Sequence, residues 1–276
     1  MKSSLLCPNC KKIISYDESK CPYCGLIRPG SIWIKAYTLM FSGQERIINI
    51  IIILNIIMYI ISAIIDPSHI RIDLNPLKFL SPSNESLLLL GATGRLPIDH
   101  LYRWWSLISA SYLHGSLLHI FFNMAAMRQI GVLILREYGA NRFFIIYFFS
   151  GIFGFLASWA SNVSLSVGAS GSLCGLIGAA LYFGKSRGGI YGQAVYKQVS
   201  GWVISIFLFG ILVPGIDNLA HCGGLITGIV SGFLLGYHEK IKENKTHTII
   251  AVLSLFITIC VLLWAVCISF LVTLEM

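Results

Sequence analysis

Residues 47–65 read IINIIIILNIIMYIISAII, nineteen positions without a charged side chain. At 1.5 Å of rise per residue a helix of this length crosses about 30 Å, the thickness of a bilayer's hydrocarbon core. Outward from this run the pattern repeats. Further spans are expected over about 115–135, 142–162, 169–184, 198–214, 217–236 and 248–272, the fourth of them short and rich in Gly and Ala. The bulk composition agrees. The chain of 276 residues is 56% hydrophobic and 12% charged, with a mean hydropathy of +0.77, whereas soluble domains carry about 25% charged residues. The fold class expected is an all-α polytopic membrane protein, preceded by a small metal-binding ribbon. The formal net charge of +8 fits Lys and Arg gathered on cytoplasmic loops, and nucleic acid is not expected as a partner.

Those basic residues set an orientation. Arg136 and Arg142 lie between the second and third spans, Lys185, Arg187 and Lys197 between the fourth and fifth, and Lys240, Lys242 and Lys245 between the sixth and seventh. The alternate connections, 162–168 and 214–218, carry none. The positive-inside bias then puts the N-terminus in the cytoplasm and the C-terminus and the long 66–111 loop outside. With no signal peptide or transit-like segment read at the start, a bacterial plasma membrane is the expected location.

This topology carries the chemistry. The second, fourth and sixth spans all enter from outside, and each bears polar side chains near that end: His119 and Asn123, Ser170, and His221. All lie roughly 5–10 Å below the surface. Polar residues at membrane depth are costly and mark function; taken one at a time, each could also cap or bridge helices. A Ser hydroxyl needs a base to become a nucleophile. His221 is the candidate, with His119 and His114 as alternatives, and no Lys lies at this depth. Ser170 begins a helix after Gly168, so its backbone N–H faces where an oxyanion would form. His119 and Asn123, four apart, share a helix face and can add donors. Gly171, Gly175 and Gly178 on the fourth span and Gly224 and Gly228 on the sixth allow close approach. A triad carboxylate is missing: Asp217 stands one turn before His221, where its role is that of a helix N-cap.

Gly168-Ala169-Ser170-Gly171, His119-Ile-Phe-Phe-Asn123 and Ala220-His221-Cys-Gly-Gly224-Leu-Ile-Thr-Gly228, with His114 five before His119, resemble the signatures of rhomboid intramembrane serine proteases. The resemblance covers roughly residues 46–237. It implies a six-helix core, here followed by a seventh C-terminal helix. It implies Ser170 as nucleophile, His221 as base, His119 and Asn123 as oxyanion partners, and no cofactor for catalysis. The substrates would be transmembrane proteins, cut in the bilayer. Two positions depart from the family's habit. Its Trp-Arg pair of the first loop is here Trp105-Ser106 with Arg103 upstream, and its bulky residue one turn after the serine is here Cys174. The α/β-hydrolase pattern G-x-S-x-G fails, because Ser172 occupies its second Gly.

Eight Cys are present, and four fall in Cys7-Pro-Asn-Cys10 and Cys21-Pro-Tyr-Cys24. Two such knuckles suit a tetrahedral Zn²⁺, with iron the alternative. About 25 residues hold no core, so the metal would hold the fold. The expected organisation is a zinc-ribbon-like cytoplasmic module over 1–29 and an interfacial linker over 30–45 with Trp33, Tyr37 and Phe41. The protease core follows over 46–237, then a cytoplasmic connection and last span over 238–276. The zinc module offers a docking site for a cytoplasmic protein. Two competing readings are a silent scaffold that binds membrane clients, and a transporter. The shallow polar set argues against transport, which places its sites at the midplane.

Overall fold

The computed structural model describes residues 4–34, 45–66 and 79–275. Tyr37 and Phe41 of the expected linker, and residues 67–78 of the 66–111 loop, lie outside them. The chain divides into two compact units, Met1–Ile53 and Leu54–Met276, each taken by itself below.

In the first unit Ser4–Leu6 (β1) pairs antiparallel with Ile13–Ser15 (β2), Leu5 facing Ile14. Two knuckles of one design hold the cysteines. In each, the N–H of the first Cys is bonded to a carbonyl five residues on (Lys12, Leu26). The carbonyl of the first Cys accepts from the residue four on (Lys11, Gly25). Lys11 and Gly25, just past the second Cys, take left-handed φ of 59° and 76°. Ile14 and Leu5 pack with the cysteines as the small apolar centre.

Among the described residues seven helices reach 18 residues or more: α1 (Arg46–Ile65), α2 (Leu117–Tyr138), α3 (Ala140–Ala160), α4 (Ser170–Arg187), α5 (Gly189–Leu212), α6 (Asn218–Leu235) and α7 (Lys245–Glu275). Six of them are long and apolar enough to cross a membrane, α4 being the exception. The protein is therefore a multi-pass integral membrane protein. Ser116 and Asp217 cap α2 and α6 by accepting from the N–H three residues on. Gly139, between α2 and α3, turns the chain at φ 86°.

One boundary differs from the sequence expectation. The fifth helix begins at Gly189, nine residues before the apolar run, so the segment read as a connection over 184–197 is almost all helix. A break at Gly188 (φ 64°) separates two helices that touch at once. A methyl on Gly192 would stand 2.8 Å from the Gly184 carbonyl oxygen. Hydropathy sees only the part of a helix that meets lipid, and these first turns are polar.

α4 is the central helix. It packs on α6 most extensively, then on α3, α5 and α2, and most of its side chains are buried. α7 lies against α3 and against the short helices Ser106–Ser109 and Asn84–Leu89. The connection after α1 is folded where it is described. Ile98, Leu107 and Ala110 form a core with Phe155 of α3 and Ala220 of α6, covered by Trp159. Arg103 donates to the Leu88 carbonyl (2.8 Å) and lies over the Trp105 ring, so an arginine contact persists in this loop although the Trp-Arg order does not.

The opposite end is charged. The guanidinium of Arg142, wholly buried, donates to the carbonyls of Tyr138 (2.7 Å), Gly236 (2.7 Å) and Ile241 (2.9 Å) and meets His238 Nδ1 at 3.2 Å. Glu243 accepts from the N–H groups of Asn141 and Arg142 at the start of α3. The chain leading into α7 is thus clasped to the ends of α2, α3 and α6.

Candidate active site

The first turns of α2, α4 and α6 meet at the end away from Arg142. Ser170 is the first residue of α4. The residue before it, Ala169, has no side chain that can cap, so the leading N–H groups of α4 are left for a ligand. His221, in the first turn of α6, points its Nε2 at Ser170 Oγ, 2.8 Å away. Its Nδ1 is buried without a partner among the described residues. With the Ser170 hydroxyl donating to Nε2, the neutral ring carries its proton on Nδ1. The two helices come together through glycines: Gly224 lies on the Gly171 backbone and Gly228 on that of Gly175, as the small-residue spacing predicted. Cys174 is buried. Phe207 of α5 stands edge-on to the His221 ring, centroids 6.5 Å apart, a neighbour the sequence pattern did not point to.

The structure brings His119 to the same place. Its Nδ1 lies 3.4 Å from the Gly115 N–H and accepts from it, which puts the ring proton on Nε2. That Nε2 faces the chain just before Ser170: a methyl on Gly168 would stand 2.8 Å from it. Gly168 also has φ 131°, so only glycine fits the position. Asn123, one turn on, donates to the His119 carbonyl (2.9 Å), and its buried Oδ1 has no partner among the described residues. One of its two N–H groups is thus committed within its own helix. His114 packs edge-on against His119 at 5.0 Å, and among the described residues neither of its nitrogens has a hydrogen-bond partner.

The loop before Ser170 is fastened at several points. Ser166 pairs with Thr93 through both backbone groups, Gly168 N–H donates to the Ala110 carbonyl (2.9 Å), and Arg95 reaches the Asn162 side chain (2.7 Å). Asp217 caps α6 as read, and its second oxygen accepts from Ser158 and Ser166.

In the other unit the four sulfurs of Cys7, Cys10, Cys21 and Cys24 lie within 4.8 Å of one another. Cys7 and Cys24, and likewise Cys10 and Cys21, are 3.7 Å apart. Four sulfurs at 2.3 Å around a tetrahedral Zn²⁺ would be about 3.8 Å apart, so the group fits. The thiols compete for ionisation. The Leu26 N–H beside its sulfur holds Cys24 down to about 6. Cys10, although the Lys12 backbone bond lowers it, is pushed up by burial and the neighbouring sulfurs to about 11. A divalent ion at the centre would resolve that conflict. The four cysteines can hold a metal ion.

Comparison with known proteins closes the case for the fold. The Rhomboid domain profile matches residues 102–238. "Rhomboid protease GluP" of Bacillus subtilis is 35% identical over 156 residues, 56% of this chain and 31% of the relative. "RHOMBOID-like protein 6, mitochondrial" of Arabidopsis thaliana is 36% identical over 170 residues, 60% of this chain and 55% of the relative. "Inactive RHOMBOID-like protein 8" of the same plant is 28% identical over 173 residues, covering 61% and 48%. The chain thus spans between 31% and 55% of these relatives' lengths. The domain match and the relatives together support membership of the rhomboid family, and the helical body has the rhomboid fold.

Proposed function

We propose that the chain is an intramembrane serine endopeptidase that cuts transmembrane segments of other membrane proteins. The observation that carries this reading is the 2.8 Å hydrogen bond between Ser170 Oγ and His221 Nε2 at an uncapped helix start. Ser170 Oγ attacks the scissile carbonyl as its proton passes to His221 Nε2. The oxyanion is met by the Ser170 N–H, His119 Nε2–H and the free N–H of Asn123. Collapse breaks the C–N bond, the imidazolium gives its proton to the leaving amine, and a water deprotonated by His221 then frees the acyl group. The pair works without a carboxylate on His221 Nδ1.

A substrate helix has its carbonyls locked in hydrogen bonds, so it must unwind before attack. The preferred substrates have a weak helix at the end facing the site. With the Lys- and Arg-bearing helix ends in the cytoplasm, the N-terminus is cytoplasmic, the C-terminus outside, and the site opens outward. In the N-terminal unit Cys7, Cys10, Cys21 and Cys24 would hold a structural Zn²⁺, which supplies folding energy and, with all four positions filled, no catalysis.

The test is cleavage of a model transmembrane substrate by purified protein in liposomes. Native protein cuts; Ser170→Ala does not; His221→Ala loses about 10²–10⁴ of the rate, the size of a general-base contribution. Folded native protein that cuts none of several helix-weakened substrates refutes the reading and leaves the client-binding scaffold, a role consistent with a relative named inactive.

A further inference from the structure

A helix cap needs one oxygen, and Asp217 provides it with Oδ1, which accepts the Ala220 N–H at 2.9 Å. Its other oxygen serves two further elements. Oδ2 accepts the hydroxyl of Ser158, near the end of α3, and that of Ser166 at 2.7 Å. Ser158 is fully buried and Ser166 nearly so. Ser166 lies four residues before Ser170 and is pinned by two backbone bonds to Thr93. One carboxylate therefore joins the turn that carries His221, the loop that delivers Ser170, and α3. The first turn of α6 has little slack: methyls on Gly154 and Gly171 would stand 2.8 and 3.5 Å from the Ala220 carbonyl oxygen. No Lys or Arg pairs with Asp217 among the described residues, so its bonds are spent on geometry.

We propose that Asp217 is a positioning residue that sets the distance between Ser170 and His221 by tying the Ser166 loop and α3 to the start of α6. The proposal rests on the protease reading above. It separates two roles of one side chain, cap and strut. Asp217→Ser keeps a cap, since a Ser hydroxyl also accepts from Ala220 N–H, but cannot reach Ser158 and Ser166. Asp217→Asn keeps cap and strut and removes only the charge: its amide N–H groups can donate to the two serine oxygens.

The experiment follows labelling of Ser170 by a fluorophosphonate, which needs an activated serine and no substrate, alongside kcat and KM on a model transmembrane substrate. Melting temperature in detergent reports the fold. Asp217→Ser, and separately the pair Ser158→Ala with Ser166→Ala, are expected to slow labelling and kcat by about tenfold or more, as for a sub-ångström misplacement. KM is unchanged. Asp217→Asn restores both rates to within about threefold. Native rates in Asp217→Ser would mean the residue is a cap alone. A loss in Asp217→Asn equal to that in Asp217→Ser would mean that charge, not position, matters. Either result overturns the proposal while native protein still labels. Native protein that neither labels nor cleaves sinks the protease reading, and this proposal with it. Should Asp217→Ser lose its melt, the double serine variant decides.

Discussion

A single methyl at Gly224 tests whether the crossing of α4 and α6 governs the chemistry. In Gly224→Ala the new Cβ would overlap the Gly171 carbonyl, standing 2.8 Å from its carbon and 3.2 Å from the Gly171 Cα. Carbon atoms in contact settle at about 3.5–4.0 Å, so the helices must part by roughly 1 Å. The obstacle is backbone on both sides and cannot rotate away. Gly171 adjoins Ser170, and Gly224 is three residues from His221. The 2.8 Å bond between the two would open to nearly 4 Å, beyond hydrogen-bond reach. A misplacement of about 1 Å costs on the order of 10²-fold in rate, or about 2.7 kcal/mol on the barrier. Overpacking takes a further 1–3 kcal/mol or so from stability. The assay is liposome cleavage together with fluorophosphonate labelling, both at a temperature where the variant is folded. Gly201→Ala in α5 is the control: nothing lies within 4 Å of its added methyl, and replacing a helical Gly there should be neutral or stabilising by about 0.5–1 kcal/mol. Native activity in folded Gly224→Ala would refute the claim that the glycine crossing sets the dyad.

At the charged end, Arg142→Ala would strand the carbonyls of Gly236 and Ile241, with an expected loss in detergent unfolding of about 1–3 kcal/mol for each. Arg142→Lys should recover only part, because an ammonium cannot fork to several carbonyls. An Arg142→Ala protein that unfolds with the native would show the clasp to be idle. Purified native chain should carry one zinc by elemental analysis, and a chain with Ser at 7, 10, 21 and 24 none. Iron, or no metal, in protein prepared without chelator would refute the zinc assignment.

Much of this was written in the sequence at the scale of whole spans. The apolar run over 47–65 becomes α1, and the polar set His119, Asn123, Ser170 and His221 converges because helix direction and residue depth alone bring them to one end. What escaped depends on tertiary approach. Arg142 counts in the sequence only as a charge for orientation, yet it is buried, and two of the carbonyls it meets, those of Gly236 and Ile241, come from residues about a hundred positions away. Asp217 read as a cap, since the hydroxyls of Ser158 and Ser166 reach it only after the loop folds back. Phe207 sits in a lipid-facing pattern that gives no hint of His221. The stretch 84–112 looked like a polar loop because its helices run only a few residues, too short for a period to register. The early start of α5 was missed because its first turns are polar.

The helix that bears Ser170 is not among those apolar enough to cross a membrane unaided. Its most extensive packing is against α6, which is made later. During synthesis α4 emerges before residue 218, when its main partner does not yet exist. A half-made chain therefore holds Ser170 without its hydrogen-bond partner His221. The arrival of α6 both packs against α4 and delivers His221. On the protease reading proposed above, insertion and arming would then be one event, with Ser170 inert until α6 is in place.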